Sequence, residues 1–370
     1  MKRPVRIALT VTNDLNFDQR MIRICTALQE AGYEVTLIGR EHPGSRPLEE
    51  KIFAQKRLKL SIPKGKLMYF FFWLKLFFYL LFHKAEVICA IDLDTILPVY
   101  FASALKGAKR VYDAHELFTE LKEVVTRPRE KRLWDRIERF SIPRFPNGYT
   151  IGDCYAEEFR QKYGVRYAVV RNATVLKPFR QIETGEQYIL YQGWVNEGRC
   201  FEELIPAMKN VDMPLVVCGE GNFFQQAKSL AIKNGVDGKI SFKGYVPPAE
   251  LVQYTQGAYI GITLFHGIAK SNVLSMANRF FDYMHHGVPQ LCMRFPEYER
   301  VNEEFEIATL VNDPPRPDEI AEALNRLIRD EDYHQRLAQN CLKAREKYCW
   351  QNEEKVLLAF YQNLLNGNED

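Results

Sequence analysis

The feature that most constrains this chain is an alternation of short apolar β-type runs with helix-length stretches, carried through twice in succession. Residues 5–11, 35–39, 86–91, 110–113, 149–151 and 168–170 read as strands separated by segments long enough for helices. The first of those helices sets Met21, Ile24, Cys25 and Leu28 on one face and stops at Gly32. A polar stretch over residues 176–186, with Pro178 inside it, interrupts the pattern, which resumes at 188–191, 214–218, 239–242, 259–264 and 290–292. Residues 318–363 then read as helix throughout. Strands alternating with helices predict an α/β chain of two parallel sheets, each covered on both faces. At 370 residues the chain is also too long for one ordinary core. Two such domains are expected to face each other across a cleft, with ligands at the carboxyl ends of the strands.

Composition removes several classes. With 50 Lys and Arg against 47 Asp and Glu, the net charge of +3 argues against a surface that coats nucleic acid. The eight cysteines are scattered without a C-x-x-C pair, so neither a zinc ribbon nor a redox motif is expected. The strand-type run at residues 5–9 leaves no secretory signal to expect there, and a reduced, cytoplasmic setting follows as the expectation.

Aromatic residues are in surplus, and residues 67–82 hold nine of them around Lys75. That segment is too short and too broken to span a bilayer comfortably. Between Lys51 and Lys84 there are eight Lys and Arg residues and no acid. One reading is an aromatic helix with basic flanks on the inner face of an anionic membrane, touching it through Lys64, Lys66, Phe71 and Trp73. The other is a helix covered by sheet and neighbouring helices.

Three constellations could carry chemistry. Residues 188–201 read as a strand, a turn bounded by Gly193 and Gly198, and a helix start with Arg199. Glycines let the backbone approach a ligand, and Arg199 adds a permanent charge suited to phosphate oxygens. Cys200 stands where a P-loop would place a magnesium-binding hydroxyl, which argues against nucleotide hydrolysis. An ordinary strand-to-helix turn with a surface arginine is the alternative. On the helix over 278–286, Asn278, Asp282 and His286 share one face, where Asp282 could accept hydrogen bonds from vicinal hydroxyls. His285 and His286 are adjacent and point in different directions, so no metal is expected. In residues 110–116, His115 at a strand's carboxyl end could bind a substrate hydroxyl or take up a proton, with Glu116 beside it; a structural histidine is the alternative. Asp18 and Arg20 follow the first strand on the same edge, and Asp18 equally suits a helix N-cap.

Together these residues resemble the retaining glycosyltransferases of family 4, which have the GT-B fold. The resemblance runs along essentially the whole chain, through Asp18-Gln19-Arg20, Tyr112-Asp113-Ala114-His115-Glu116, Arg171-Asn172, Tyr191-Gln192-Gly193 to Arg199 and Val217-Cys218-Gly219-Glu220-Gly221. It continues through Gly244-Tyr245-Val246-Pro247, Asn278-Arg279-Phe280-Phe281-Asp282-Tyr283-Met284 and Gly287-Val288-Pro289.

The resemblance implies an acceptor domain over 1–175, a nucleotide-sugar domain over 176–348, and a final segment 349–370 that crosses back to the first. Arg199 would stabilise the departing diphosphate with Gly193, Gly198 and Gly219, and Asp282 would hold the ribose. Tyr245 and Val246 would border the base, and His115 would approach the transferred sugar. Asp18, Arg20 and Glu116 would face the acceptor, a glycan or a lipid-linked molecule of surface-polysaccharide or glycoconjugate synthesis. No cofactor or divalent metal would be needed, because cationic groups stabilise the charge. Two positions depart from the family pattern: Leu274 replaces the first acid of its E-x7-E motif, and Trp194 stands where many members carry arginine. Sugar contacts would then fall to Asn272 or Asn278. A nucleotide-sugar epimerase or hydrolase of the same fold, and a non-catalytic partner of another transferase, are the rival functions.

Overall fold

The computed structural model describes residues 3–60, 62, 65–179 and 185–367. They form two compact units, the first reaching Asn172 and taking up the chain again from Glu353, the second being Ala173–Asn352. The divisions thus fall at 172/173 and 352/353, a few residues from the expected 175/176 and 348/349.

The first unit is built on seven parallel strands, β1 (Arg6–Thr10), β2 (Glu34–Arg40), β3 (Ala54–Leu58), β4 (Val87–Ile91), β5 (Lys109–Ala114), β6 (Gly148–Thr150) and β7 (Ala168–Val169). They lie in the order β3-β2-β1-β4-β5-β6-β7. β4 is buried at every position, as a central strand covered on both faces must be. The strand order reverses between β1 and β4, so the loops leaving these two strands part and open a crevice at their carboxyl ends.

The second unit repeats the plan with β8 (Ile189–Gln192), β9 (Leu215–Cys218), β10 (Ile240–Gly244), β11 (Ile260–Thr263), β12 (Gln290–Met293) and β13 (Ala308–Val311). Here the order is β10-β9-β8-β11-β12-β13, with the reversal between β8 and β11. Its core gathers Tyr191, Phe201, Phe280, Phe281 and Tyr298, all fully buried or nearly so.

The expected long terminal helix is three helices, Pro317–Arg329, Glu331–Lys347 and Trp350–Asn366. Asp330 makes the first break, its carboxylate accepting the Tyr333 N–H at 2.9 Å as a cap. The last helix spans the division between the units. Trp350 N donates to Thr174 O at 2.9 Å in the second unit, whereas Glu353 accepts the Arg171 N–H at 2.8 Å in the first. Further on, Tyr361 is fully buried in the first unit, with its ring 6.2 Å from that of Tyr149.

The aromatic segment forms the helix Lys66–Phe82. Met68, Phe72, Leu76 and Leu80, each four residues apart, turn inward and are buried, while Leu67, Phe70, Phe71, Leu74, Phe78 and Phe82 are exposed. The inward face bears out the covered-helix reading, and the outward face leaves an apolar stripe in solvent. Trp73 departs from its expected outward position: its Nε1 donates to Asp94 O at 2.6 Å, and its ring meets Trp134 edge-on at 6.0 Å. Lys64 and the Lys66 side chain lie outside the described residues. On the neighbouring helix Leu93–Lys106, Phe101 and Leu105 are exposed too, and Lys106 Nζ ties the two helices by donating to Leu80 O at 2.8 Å. Among the described residues, no helix is long and apolar enough to cross a membrane.

Candidate active site

In the second unit the loops leaving β8 and β9 are laced together. Gly193 N donates to Cys218 O at 2.9 Å and Val195 N to Glu220 O at 2.9 Å. Gly193 has φ 121°, Gly198 φ 83° and Gly219 φ 150°. A Cβ at Gly219 would run into the Gly193 carbonyl, so these two loops approach more closely than any side chain permits. Cys200 adopts the left-handed conformation at φ 56° and precedes a helix of seven residues, Phe201–Ala207. Trp194 is 69% exposed. The Arg199 guanidinium stacks on Phe265, 4.4 Å from the ring centroid.

Asp282 sits on the helix Asn278–His285 and is held from two sides. Thr174 Oγ1 donates to its Oδ1 at 2.7 Å and Gln192 Nε2 to its Oδ2 at 3.1 Å. Gln192 is fixed in turn by the Thr255 hydroxyl, which donates to its Oε1 at 2.7 Å. A carboxylate oriented in this way suits the hydrogen bonds of hydroxyl groups. Thr174 and Gln192 were not among the expected site residues, although Gln192 sits beside Gly193. Asn278 opens the same helix, Asn272 lies in the short turn Lys270–Val273, and Leu274 follows it. Tyr245 is exposed and Val246 half-buried just past the end of β10. His285 is no ligand candidate: it is buried, its Nε2 lies 2.9 Å from Tyr348 O, and burial pushes its pKa down to about 4.

Cys200, Glu203 and His266 bring their ligating atoms within 4.8 Å of one another, a donor set able to take a divalent ion. His266 Nε2 is already 3.3 Å from a Glu203 oxygen. Burial pushes the Cys200 thiol well up, so an ion there would have to displace its proton.

In the first unit, Arg20 turns inward rather than toward a ligand. Its Nη2 donates to Asp113 Oδ1 at 3.0 Å, its Nη1 to Val170 O at 2.7 Å, and its Nε approaches His115 Nε2 at 2.9 Å. Both side chains of the Arg20–Asp113 pair are buried, which makes Arg20 a clamp on the end of β5 and corrects its expected place at the acceptor surface. Asp18 caps the helix Gln19–Glu30 by accepting Met21 N–H at 3.1 Å, the capping alternative.

His115 Nε2 also lies 2.8 Å from Asp113 Oδ2. One ring nitrogen cannot accept from Arg20 and donate to Asp113 at once, so Arg20 favours a bare Nε2 and Asp113 a protonated one. Burial lowers the imidazole's pKa, Asp113 raises it, Arg20 lowers it, and the net is upward. Asp113 is pushed up by burial and pulled down by Arg20 and His115, ending below its ordinary value. Glu116 receives a long bond, 3.4 Å, from Tyr155 OH.

Two acids at the end of β4 escaped the sequence reading. Asp92, with φ 54°, accepts the backbone N–H groups of His115 at 2.9 Å and Glu116 at 3.1 Å, and so shapes the loop that carries both. Burial raises it to about 8. Asp94 accepts the Thr12 hydroxyl at 2.5 Å and is raised to about 6, again chiefly by burial. The only hint in the sequence was the Asp92-Leu93-Asp94 repeat directly after an apolar strand.

No curated protein sequence matches the chain. Solved structures do. Sucrose-phosphate synthase from Thermosynechococcus elongatus superposes with a TM-score of 0.82 at 16% identity, covering 98% of this chain and 100% of that one. HepE of Anabaena, solved in complex with UDP, gives 0.74 at 13%, covering 97% and 100%. The apo lipopolysaccharide outer core galactosyltransferase WaaB gives 0.67 at 13%, covering 99% and 100%. At such identities the likeness establishes the fold, which is GT-B. Two family models divide the chain much as the two units do: Glycosyltransferase Family 4 matches residues 19–176, and Glycosyl transferases group 1 matches residues 175–344. The chain therefore belongs to the group 1 glycosyltransferases and is a glycosyltransferase enzyme of the GT-B fold.

Proposed function

We propose that this enzyme takes a sugar from a nucleotide-diphosphate donor, held by the second unit, and passes it with retention of anomeric configuration to a glycan or lipid-linked acceptor. The observation that carries the reading is the gathering of the Gly193 turn, Arg199 and the doubly held Asp282 where the strand order of the second sheet reverses. Backbone freed by glycine and a fixed guanidinium suit a diphosphate, and an oriented carboxylate suits ribose hydroxyls. The UDP complex of the HepE structure supports a nucleotide donor of this kind.

In the step proposed, the bond from the sugar's anomeric carbon to the diphosphate oxygen breaks and a bond to the acceptor oxygen forms on the same face. The acceptor's proton passes to the departing diphosphate, whose growing charge Arg199 stabilises, so no metal is called for. His115 is assigned to the sugar. The exposed Phe and Leu stripe of the helix Lys66–Phe82, with exposed Lys56, Lys59 and Lys84 nearby in sequence, fits peripheral attachment to an anionic membrane surface that presents a lipid-linked acceptor. Surface-polysaccharide or glycoconjugate synthesis is the process this implies.

The test is nucleotide release from a panel of nucleotide sugars, with and without a membrane extract as acceptor source. Transfer should depend on the extract and should vanish in Arg199→Ala with the melting temperature unchanged. Full activity in that variant would overturn the assignment. Donor consumption that ignores the extract would replace it with epimerisation or hydrolysis.

A further inference from the structure

Arg279 lies beneath the Gly193 turn and is 7% exposed. Its Nη1 donates to Gln192 O at 2.9 Å, and a Cβ at Gly193 would stand 3.2 Å from that same nitrogen. The guanidinium carbon is 4.5 Å from the Tyr191 ring centroid and 4.6 Å from that of Phe265, the ring on which Arg199 also stacks. Nε and Nη2, the pair of N–H groups that can grip an oxyanion side-on, have no hydrogen-bond partner. Among the described residues no carboxylate stands within ion-pair distance of Arg279. A buried cation with neither counter-charge nor a full set of acceptors is costly to hold, and here a second guanidinium shares a ring with it. Nothing in the core explains that cost. An anion seated on the Gly193 turn would offset it.

We propose that Arg279 is the second cation of the donor's diphosphate site, acting through the turn: it fixes the Gln192 carbonyl beneath Gly193 and sets an uncompensated positive charge behind the phosphates. It takes over the charge that Trp194, exposed and neutral, does not supply. This rests on the diphosphate-donor reading above. Arg279 is a positioning residue, since two rings and the Gly193 backbone lie around its guanidinium.

The experiment titrates UDP and uridine, with GDP and guanosine as the parallel pair, into the full chain and its R279M and R279K variants by ligand-observed NMR. In R279M the diphosphate should weaken by about tenfold or more while the nucleoside is unchanged, because only the phosphates feel the lost charge. R279K, which keeps the charge, should recover most of the loss. A purely structural role predicts a parallel fall for nucleoside and diphosphate in both variants, and that result overturns the proposal. Diphosphate binding by R279M within twofold of the unaltered chain overturns it as well. If R279M does not fold, R279K decides: selective retention of the diphosphate supports the role, and a parallel loss rejects it. An unaltered chain that binds neither UDP nor GDP rejects the donor reading itself.

Discussion

The outward stripe of the helix Lys66–Phe82 gives a measurable prediction. Phe70 is 57% and Phe82 81% exposed, so replacing both with alanine removes apolar surface already in solvent and should leave the melting temperature nearly unchanged. If a phenylalanine offers roughly 200 Å² for burial, the exposed shares are about 110 and 160 Å². At about 25 cal/mol per Å², complete burial in a membrane interface would be worth about 3 and 4 kcal/mol. An interface that takes up half of this area loses about 3.5 kcal/mol in the double variant, or roughly 300-fold in partition coefficient. The assay is co-sedimentation with vesicles of one-third anionic lipid, at low and high salt, over a lipid series wide enough to follow that change. Phe72→Ala is the contrasting control, because Phe72 is fully buried and its loss should cost about 3–5 kcal/mol of stability. Partitioning that falls less than about threefold in the double variant would refute the reasoning, since transfer of even a tenth of this area predicts more.

Three further outcomes are expected. Asp92, Asp94 and His115 all have folded pKa values raised above their unfolded ones, so what they contribute is full below the unfolded pKa and lost as pH rises through the folded value. The chain should therefore melt higher at pH 5.5 than at pH 8.5 by on the order of 5 °C, and Asp92→Asn should narrow the gap in a calorimetric pH series. Asp113, lowered instead, adds stability above its unfolded pKa and loses it only as pH falls through the folded value, outside that interval. Gly219→Ala, forced against the Gly193 carbonyl at φ 150°, should abolish nucleotide binding and cost about 1–3 kcal/mol, read by titration and denaturant unfolding. In the mechanism proposed above arginine charge takes the place of a metal, so extended dialysis against a chelator should leave sugar transfer unchanged within about twofold; a loss restored by zinc or magnesium would point instead to Cys200, Glu203 and His266.

The alternation that opens the sequence was enough to read two parallel sheets, because central strands such as β4 are apolar at every position. β3 escaped notice: it is an edge strand of sequence Ala-Gln-Lys-Arg-Leu, only half covered, and an edge has no need of a continuous apolar run. β13, an edge strand of the second sheet, was missed although Ala-Thr-Leu-Val is largely apolar, because it is only four residues long. Gly193 and Asp282 were legible because local spacing carries them. The Arg20 clamp was not, since its meaning lies in Asp113, 93 residues away, and Asp92 gains its role only when β4 and β5 pair and bring it under the His115 loop. Arg279 was quoted as part of a motif, yet its lack of a counter-charge exists only once the chain has folded around it.

The last helix bears on how the protein is made. The second unit is one uninterrupted stretch, Ala173–Asn352, and has all of its residues as soon as that stretch leaves the ribosome. The first unit opens earlier in the sequence but buries Tyr361 beside Tyr149, and Glu353 on the Arg171 amide, so its core stays open until residues 353–361 have been made. The unit begun first closes after the second. During that interval the apolar stripe of the helix Lys66–Phe82 belongs to a domain whose core is still open.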